Sequence, residues 1–422
     1  MLQHIKTFRI GDFTFRQRDA LFLALYSFVL GIAYLFAEQQ IPTLMVLFVL
    51  MGYFVDKLIP LCIYIMTTCV ISEIPGSMLV ITFSVVGLSS LKMLSKNKKA
   101  IYSNYPLLFL YMIIVLAFSY FFSRNTNTVS TLNMVFALLT MFVIATMTTQ
   151  HKGDVFFLSL LIAALLLLII VSYQQFLGVA TYSMLGKLQF AENSKALAYP
   201  LAVLVFFLFS MIIKKGSGLF IKQKIFIYLF LAWSLPIFLM TYSRGVTIAL
   251  MAGVFFLLIK GFFKGNLLLN ILTLVVAGLV TGYFIISADL DTEIYTSNIE
   301  GGNGRTEIWS FFLYQMLQEG CLLYGFGSGS MRDVTVLEVY SHSAILDYFF
   351  SYGILGLIFI TGIVSISGYK LYKKDVFYFS LFTMVFLMFS THGTSSSILF
   401  SSLMGLCLGA ANRNDKMSII VR

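Results

Sequence analysis

The sequence predicts an all-α fold: a polytopic integral membrane bundle of 12 to 14 transmembrane helices with one large structured loop outside the membrane. Three observations carry this. Of the 422 residues, 59% are hydrophobic and only 11% charged, where a soluble domain carries about 25% charged residues, and mean hydropathy is +0.93. Apolar runs near the length of a bilayer span recur along the chain. The basic residues sort by loop parity. With 43 Phe, 23 Tyr and 20 Met against only 6 Pro and 4 Cys, disordered, collagen-like and disulfide-rich classes are excluded.

A helix needs about 20 mainly apolar residues to cross a bilayer, and fourteen stretches qualify as candidates. In order they are Leu21–Phe36, Ile41–Val55, Leu58–Ile71, Ser77–Leu91, Tyr105–Phe122, Val129–Met147, Val155–Phe176, Ala196–Ile213, Ile225–Met240, Val246–Ile259, Leu267–Ser287, Ala344–Leu371, Val376–Phe389 and Ser397–Ala411. The second and third are short. At 1.5 Å per residue each reaches only about 22 Å, so they are either tilted neighbours or a re-entrant pair, and the count is 12 or 14. Basic residues before an apolar run resemble a signal peptide, but Gly31 to Phe36 offers a poor cleavage pattern, and the first stretch reads as an uncleaved span.

With the N-terminus cytoplasmic, 22 of the 28 Lys and Arg fall inside and six outside: Arg124, Lys187, Lys195, Arg244, Arg305 and Arg332. Acidic residues split the other way, six inside and twelve toward the outside. Basic charge therefore encodes orientation, with both termini cytoplasmic, and nucleic acid is excluded as a partner. Membrane lipids are the immediate surroundings.

No repeat or linker divides residues 1–422, which read as one transmembrane domain. The exceptions to short loops are two outer segments, Gly178–Lys195 and Ala288–Ser343, and a loop as long as 288–343 with its own structure needs a functional reason. Thr306 can cap a helix over 306–319, with Glu307 in its first turn, Ile308, Trp309, Phe312, Met316 and Leu317 at helical spacing, and Gly320 as its stop. Such a helix either lies along the membrane surface or packs over the bundle.

The outer cations stand on an acidic face. Arg244, in Thr241-Tyr242-Ser243-Arg244-Gly245, sits in a tight turn with no acidic neighbour in sequence, which makes it an anion site or a structural clasp. Arg305 follows Gly301-Gly302-Asn303-Gly304, where glycines let backbone N–H groups approach a ligand and the coming helix start favours negative charge. Arg124 has the ordinary role of snorkelling to headgroups, and Lys187 and Lys195 flank the other long outer loop. Among the four His, His342 opens the span after the large loop and His392 is a second outer candidate. Each is either a proton acceptor or an interfacial residue. Asp289, Asp291 and Glu293 have no clustered ligand at metal spacing, so no metal is expected, and the four Cys suggest neither a bridge nor a thiolate site.

In this order and sidedness, the motifs resemble the bacterial O-antigen ligase and O-antigen/capsule repeat-unit polymerase superfamily. Thr241-Tyr242-Ser243-Arg244-Gly245 is similar to its Ser-Arg-Gly motif. Gly304-Arg305 with Trp309, then Gly325-Phe326-Gly327-Ser328-Gly329-Ser330, resembles its Gly-Arg, Trp and Gly-x-Gly stretch. Ser341-His342-Ser343-Ala344-Ile345-Leu346-Asp347 followed by Gly353-Ile354-Leu355-Gly356 is similar to its His-Asn segment and Gly-rich span, with Ser343 in place of the Asn. Asn193 before Ala196 to Leu201 is a looser match to an outer-loop Asn, and the resemblance covers roughly 191–356.

The resemblance implies a bacterial plasma-membrane glycosyltransferase with an extracytoplasmic site, moving a glycan from an undecaprenyl diphosphate carrier to an acceptor without metal or cofactor. On that implication Arg244 and Arg305 hold the diphosphate, and His342 is the base or orienting partner for the acceptor hydroxyl, with inversion at the anomeric carbon. Tyr242, Ser243, Asn303, Trp309 and Lys195 are the candidate substrate-binding residues. Repeat-unit polymerase is preferred, with a lipid-linked repeat unit as acceptor. A ligase acting on lipid A core and a non-enzymatic lipid-linked oligosaccharide flippase are the alternatives. Other polysaccharide-assembly membrane proteins are further candidate partners.

Overall fold

The computed structural model describes residues 7–10, 13–71, 76–96, 105–122, 128–149, 153–176, 194–215, 220–241, 243–262, 305–328, 343–391 and 397–413. Over these, the chain is a helical membrane protein with a small β-hairpin at its start. Thirteen of the fourteen apolar stretches are helical, and Leu267–Ser287 lies outside the described residues.

The all-α expectation holds for the bundle, and a short hairpin precedes it. Strands β1 (Thr7–Ile10) and β2 (Phe13–Arg16) pair antiparallel with Ile10 opposite Phe13, and β2 runs directly into α1 (Gln17–Phe36). A 3₁₀ turn over Glu38–Gln40 leads to α2 (Ile41–Val55), then α3 (Ile59–Val70), α4 (Gly76–Lys96), α5 (Tyr105–Phe122), α6 (Thr128–Thr149) and α7 (Asp154–Phe176). Next come α8 (Ser194–Lys215), α9 (Ile221–Leu239) and α10 (Arg244–Phe262). The last four are α11 (Arg305–Gln318), α12 (Ala344–Lys374), α13 (Val376–Thr391) and α14 (Ile398–Ala411).

Local chemistry sets several of these boundaries. Pro42 and Pro60 occupy the first turns of α2 and α3, where a missing N–H costs no hydrogen bond. Ser343 and Ser397 cap α12 and α14, their hydroxyls accepting from Leu346 N–H at 3.4 Å and Phe400 N–H at 3.3 Å.

Among the described residues, six helical stretches are long and apolar enough to cross a membrane: Gln17–Phe36, Glu38–Val55, Ser130–Thr149, Asp154–Phe176, Ile221–Leu239 and Ala344–Lys374. Helix α3, at about 18 Å, falls short of the hydrocarbon core. It is nevertheless buried along nearly its whole length, among α1, α2, α4, α7 and α14, so protein supplies the surroundings for its ends. Many large apolar side chains instead face outward, among them Phe28, Phe54, Phe176, Phe226 and Ile248. In water that surface would drive aggregation, whereas in lipid it is ordinary.

One continuous core joins α1 to α10 with α12, α13 and α14. One tight seam is between α6 and α14, where Gly405 and Gly409, four residues apart on one face, let the α14 backbone approach Met141 and Ala145. Polar groups lie at both ends of the bundle, and the ion pairs among the described residues gather at the near end, where α1 starts. There Arg16 Nη1 meets Asp56 Oδ2 at 3.0 Å, and Arg413 Nη2 stands 3.8 Å from Asp154 Oδ1. Arg413 also donates to the Thr148 carbonyl at 3.4 Å, while Lys370 Nζ donates to Asn412 Oδ1 at 2.7 Å. The ends of α6, α12 and α14 and the starts of α7 and α13 thus meet at one place.

Candidate functional site

The opposite, far end holds the starts of α8, α10 and α12 and the end of α13. Phe256 packs on Phe379 with ring centroids 5.3 Å apart, and Gly253 lies against Ser380 and Met384, so α10 and α13 run antiparallel. The start of α10 at Arg244 therefore stands beside the end of α13. Tyr199 in the second turn of α8 stacks near Phe389 at 4.9 Å, which brings the start of α8 to the same end. The last turns of α7 and α9 join them through Gln175 and Met240.

Helix α12 is broken at Gly353, whose φ of 64° and ψ of −155° are non-helical. Beyond the break, Ile354–Lys374 reaches about 31 Å, enough for a span by itself. The shorter first half, Ala344–Tyr352, extends past the span length at the far end.

Such a break exposes carbonyls of the first half and N–H groups of the second, which in an apolar setting must find partners. The segment Cys321–Ser328 supplies them. Phe326 N–H donates to the Phe350 carbonyl at 2.9 Å and Gly327 N–H to the Ser351 carbonyl at 3.0 Å. In return Ile354 N–H donates to Leu322 O at 3.0 Å and Leu355 N–H to Leu323 O at 3.4 Å. Two hydroxyls of α5 complete the set, Ser119 donating to Ser351 O at 3.3 Å and Tyr111 to Leu355 O at 3.0 Å. Ser328 Oγ and the Tyr352 hydroxyl share a buried hydrogen bond of 2.7 Å.

Glycine is required on both sides of this junction. A Cβ at Gly325, where φ is 74°, would sit 2.5 Å from Ser351 O, and one at Gly353 would sit 2.5 Å from Leu322 O.

Helix α11 is fixed to the same unit. It ends as expected before Gly320, with Cys321 N–H reaching back to Met316 O at 3.1 Å. Phe312 and Met316, one turn apart, pack with Cys321, Phe326 and Phe350 into a separate apolar cluster, with Ile308 and Trp309 at its edge. Its outer face exposes Phe311, Leu313, Tyr314 and Leu317. One face of α11 is thus covered by this cluster and the other is exposed. Its first residue is Arg305, which puts Thr306 inside the first turn instead of at the cap.

The site residues expected from sequence stand as follows. Arg244 and Arg305 are the first residues of α10 and α11, and Lys195 is the second of α8; the side chains of all three lie outside the described residues. Tyr242, Asn303 and His342 lie outside them entirely, as do His392 and the acidic stretch Asp289–Glu293. Ser243 is buried at the start of α10, its carbonyl accepting from Thr247 N–H at 2.9 Å, and its Oγ has no hydrogen-bond partner among the described residues. Trp309 is half-buried against the Phe312 cluster. Ser343 is the α12 cap, so the hydroxyl that replaces an Asn of the resembled motif is committed to holding the helix start immediately after His342.

Sequence reasoning did not foresee that the segments holding Gly325 and Gly353 bond each other through the residues that flank each glycine, nor that Ser119, Tyr111 and Tyr352 serve the same junction. The signal available was the pairing of two glycine motifs across a span start. No protein-family model and no curated protein matches the chain.

Proposed function

We propose that the chain is a glycosyltransferase of the outer face of the bacterial plasma membrane, polymerising undecaprenyl-diphosphate-linked repeat units. The observation that carries the reading is the junction: the segments that hold the two glycine motifs of the resemblance, 322–328 and 350–355, are bonded backbone to backbone, with α11 starting at Arg305 and α12 starting two residues after His342. That Arg244 begins α10 at the same end supports it further, since helix starts favour anions.

The chemistry follows. The acceptor hydroxyl oxygen attacks the anomeric carbon, its proton passing to His342, while the bond from that carbon to the diphosphate oxygen breaks and undecaprenyl diphosphate leaves with the electron pair. Arg244 and Arg305 stabilise the charge growing on the leaving diphosphate, and attack from the opposite face inverts the anomeric centre. The donor bond is already activated, so the step needs neither nucleotide nor ATP. Twelve or fourteen spans with both termini cytoplasmic put this end outside, in keeping with the 22-to-6 split of basic residues.

The test is to incubate purified protein with a defined undecaprenyl-diphosphate repeat unit. A ladder of products is the expected result. Transfer only when lipid A core is supplied makes the protein a ligase, and translocation across vesicles with no glycosidic product makes it a flippase and overturns the reading.

A further inference from the structure

We propose that the segment Cys321–Ser328 is a positioning clamp, which sets the register between α11 and the first half of α12 and so aligns the residues at the two helix starts. The clamp itself rests on geometry. That the start of α11 against the start of α12 matters for turnover rests on the glycosyltransferase reading.

Three features distinguish a clamp from a connecting loop. Its backbone is bonded to both halves of the broken helix, through Phe326 and Gly327 to the first and Leu322 and Leu323 to the second. A loop that merely covered a helix would leave its own amides to solvent. Phe326 and Cys321 are buried in the same cluster as Phe312 of α11 and Phe350 of α12, so one short segment ties three elements. Finally, Ser328 and Tyr352 close it with a buried hydroxyl pair, a contact whose geometry only one register satisfies.

Among the described residues, α11 otherwise meets α12 through one cluster, Phe312 against Phe350 with Ile308 and Trp309 at its edge. Its apolar residues outside the cluster, Tyr314 and Leu317 among them, are exposed. Without the clamp, its start would move relative to α12. A displacement of about 1 Å at a reacting centre costs on the order of a hundredfold in rate, so the effect belongs in turnover more than in affinity.

Two spin labels read the position of α11 against α12, at Tyr314→Cys on α11 and at Ile358→Cys beyond the break, in the half of α12 that the clamp holds through Leu322 and Leu323. Both positions are exposed, while the native Cys62, Cys69, Cys321 and Cys407 are buried and stay unlabelled. The clamp variants are Gly325→Ala, which drives a Cβ into the Ser351–Tyr352 peptide, and Tyr352→Phe, which removes only the hydroxyl. Turnover is read on the undecaprenyl-diphosphate repeat unit in unlabelled versions of both.

The expected result is a narrow distance distribution in the parent that broadens in Gly325→Ala and, less, in Tyr352→Phe. Turnover should fall at least tenfold in the first and about threefold in the second, with KM for the donor within threefold of the parent. Unchanged distributions in both variants overturn the clamp. Broadened distributions with full turnover overturn its positioning role and leave the proposed function standing. A parent that makes no product refutes the glycosyltransferase reading instead, and the distances alone then decide whether the clamp exists.

Discussion

Phe326 and Phe350 are joined twice: the N–H of one donates to the carbonyl of the other at 2.9 Å, and both rings stand around Phe312, with centroids 6.1 and 5.1 Å from it. Backbone satisfaction and side-chain packing therefore depend on each other at the break in α12. A change that disturbs either disturbs both.

Gly353→Ala tests the break. It forces an L side chain to φ of 64° and a Cβ against Leu322 O, a strain of about 1 to 3 kcal/mol before the clash is counted. Thermal unfolding in detergent should shift downward by several degrees. Gly362→Ala, on the same helix with nothing within 4 Å of its Cβ, should leave the midpoint unchanged or raise it, because Ala is the better helix former.

The α6–α14 seam makes a second prediction. A Cβ at Gly405 would sit 2.7 Å from Met141 O and one at Gly409 would sit 2.5 Å from Ala145 O. Gly405→Leu should separate the two helices and cost about 3 kcal/mol or more. A disulfide cross-linking series between the two helices would read the separation, and unchanged cross-linking would contradict the assigned packing.

At the near end, Asp154 and Arg413 form an ion pair that is mostly buried, with side chains 11% and 19% exposed. Asp154→Asn or Arg413→Met alone should destabilise by about 1 to 2 kcal/mol, since each leaves a desolvated partner. The double variant should lose less than the two singles combined. Strict additivity in unfolding midpoints would mean that the pair carries no coupling.

Burial pushes the Cys321 thiol up to about 11, and the negative charge of Glu319 adds to the shift. A raised value keeps the thiol neutral at physiological pH, and only the thiolate is a nucleophile. Alkylation in the folded protein should therefore be slow at pH 7 to 8 and rise only as pH approaches that value. Rapid labelling at neutral pH would show that the Phe312 cluster opens.

Sequence made the helices legible because span-length apolar runs leave few alternatives, and Gly320 was readable as a stop because its type and place both fit a helix end. The hairpin was missed although Thr7 to Arg16 carries strand residues on both sides of Gly11-Asp12, a turn pair; attention to charge before the first span hid it. The break in α12 was missed for a different reason. Ala344 to Leu371 is continuously apolar, and hydropathy has no term for a φ above zero. Gly353 could have marked it only in combination with the Leu322–Leu323 backbone, a partner that contact in space reveals and spacing does not.

The most direct test of the central claim compares wild type, Arg244→Ala and His342→Ala for turnover of the undecaprenyl-diphosphate repeat unit, on preparations matched for thermal stability. The account predicts a loss of about a hundredfold in Arg244→Ala, the scale of one transition-state contact worth about 3 kcal/mol. It predicts a loss of about 10²- to 10⁴-fold in His342→Ala, the share of general acid–base catalysis, with donor affinity little changed there. Wild-type turnover in His342→Ala would contradict it.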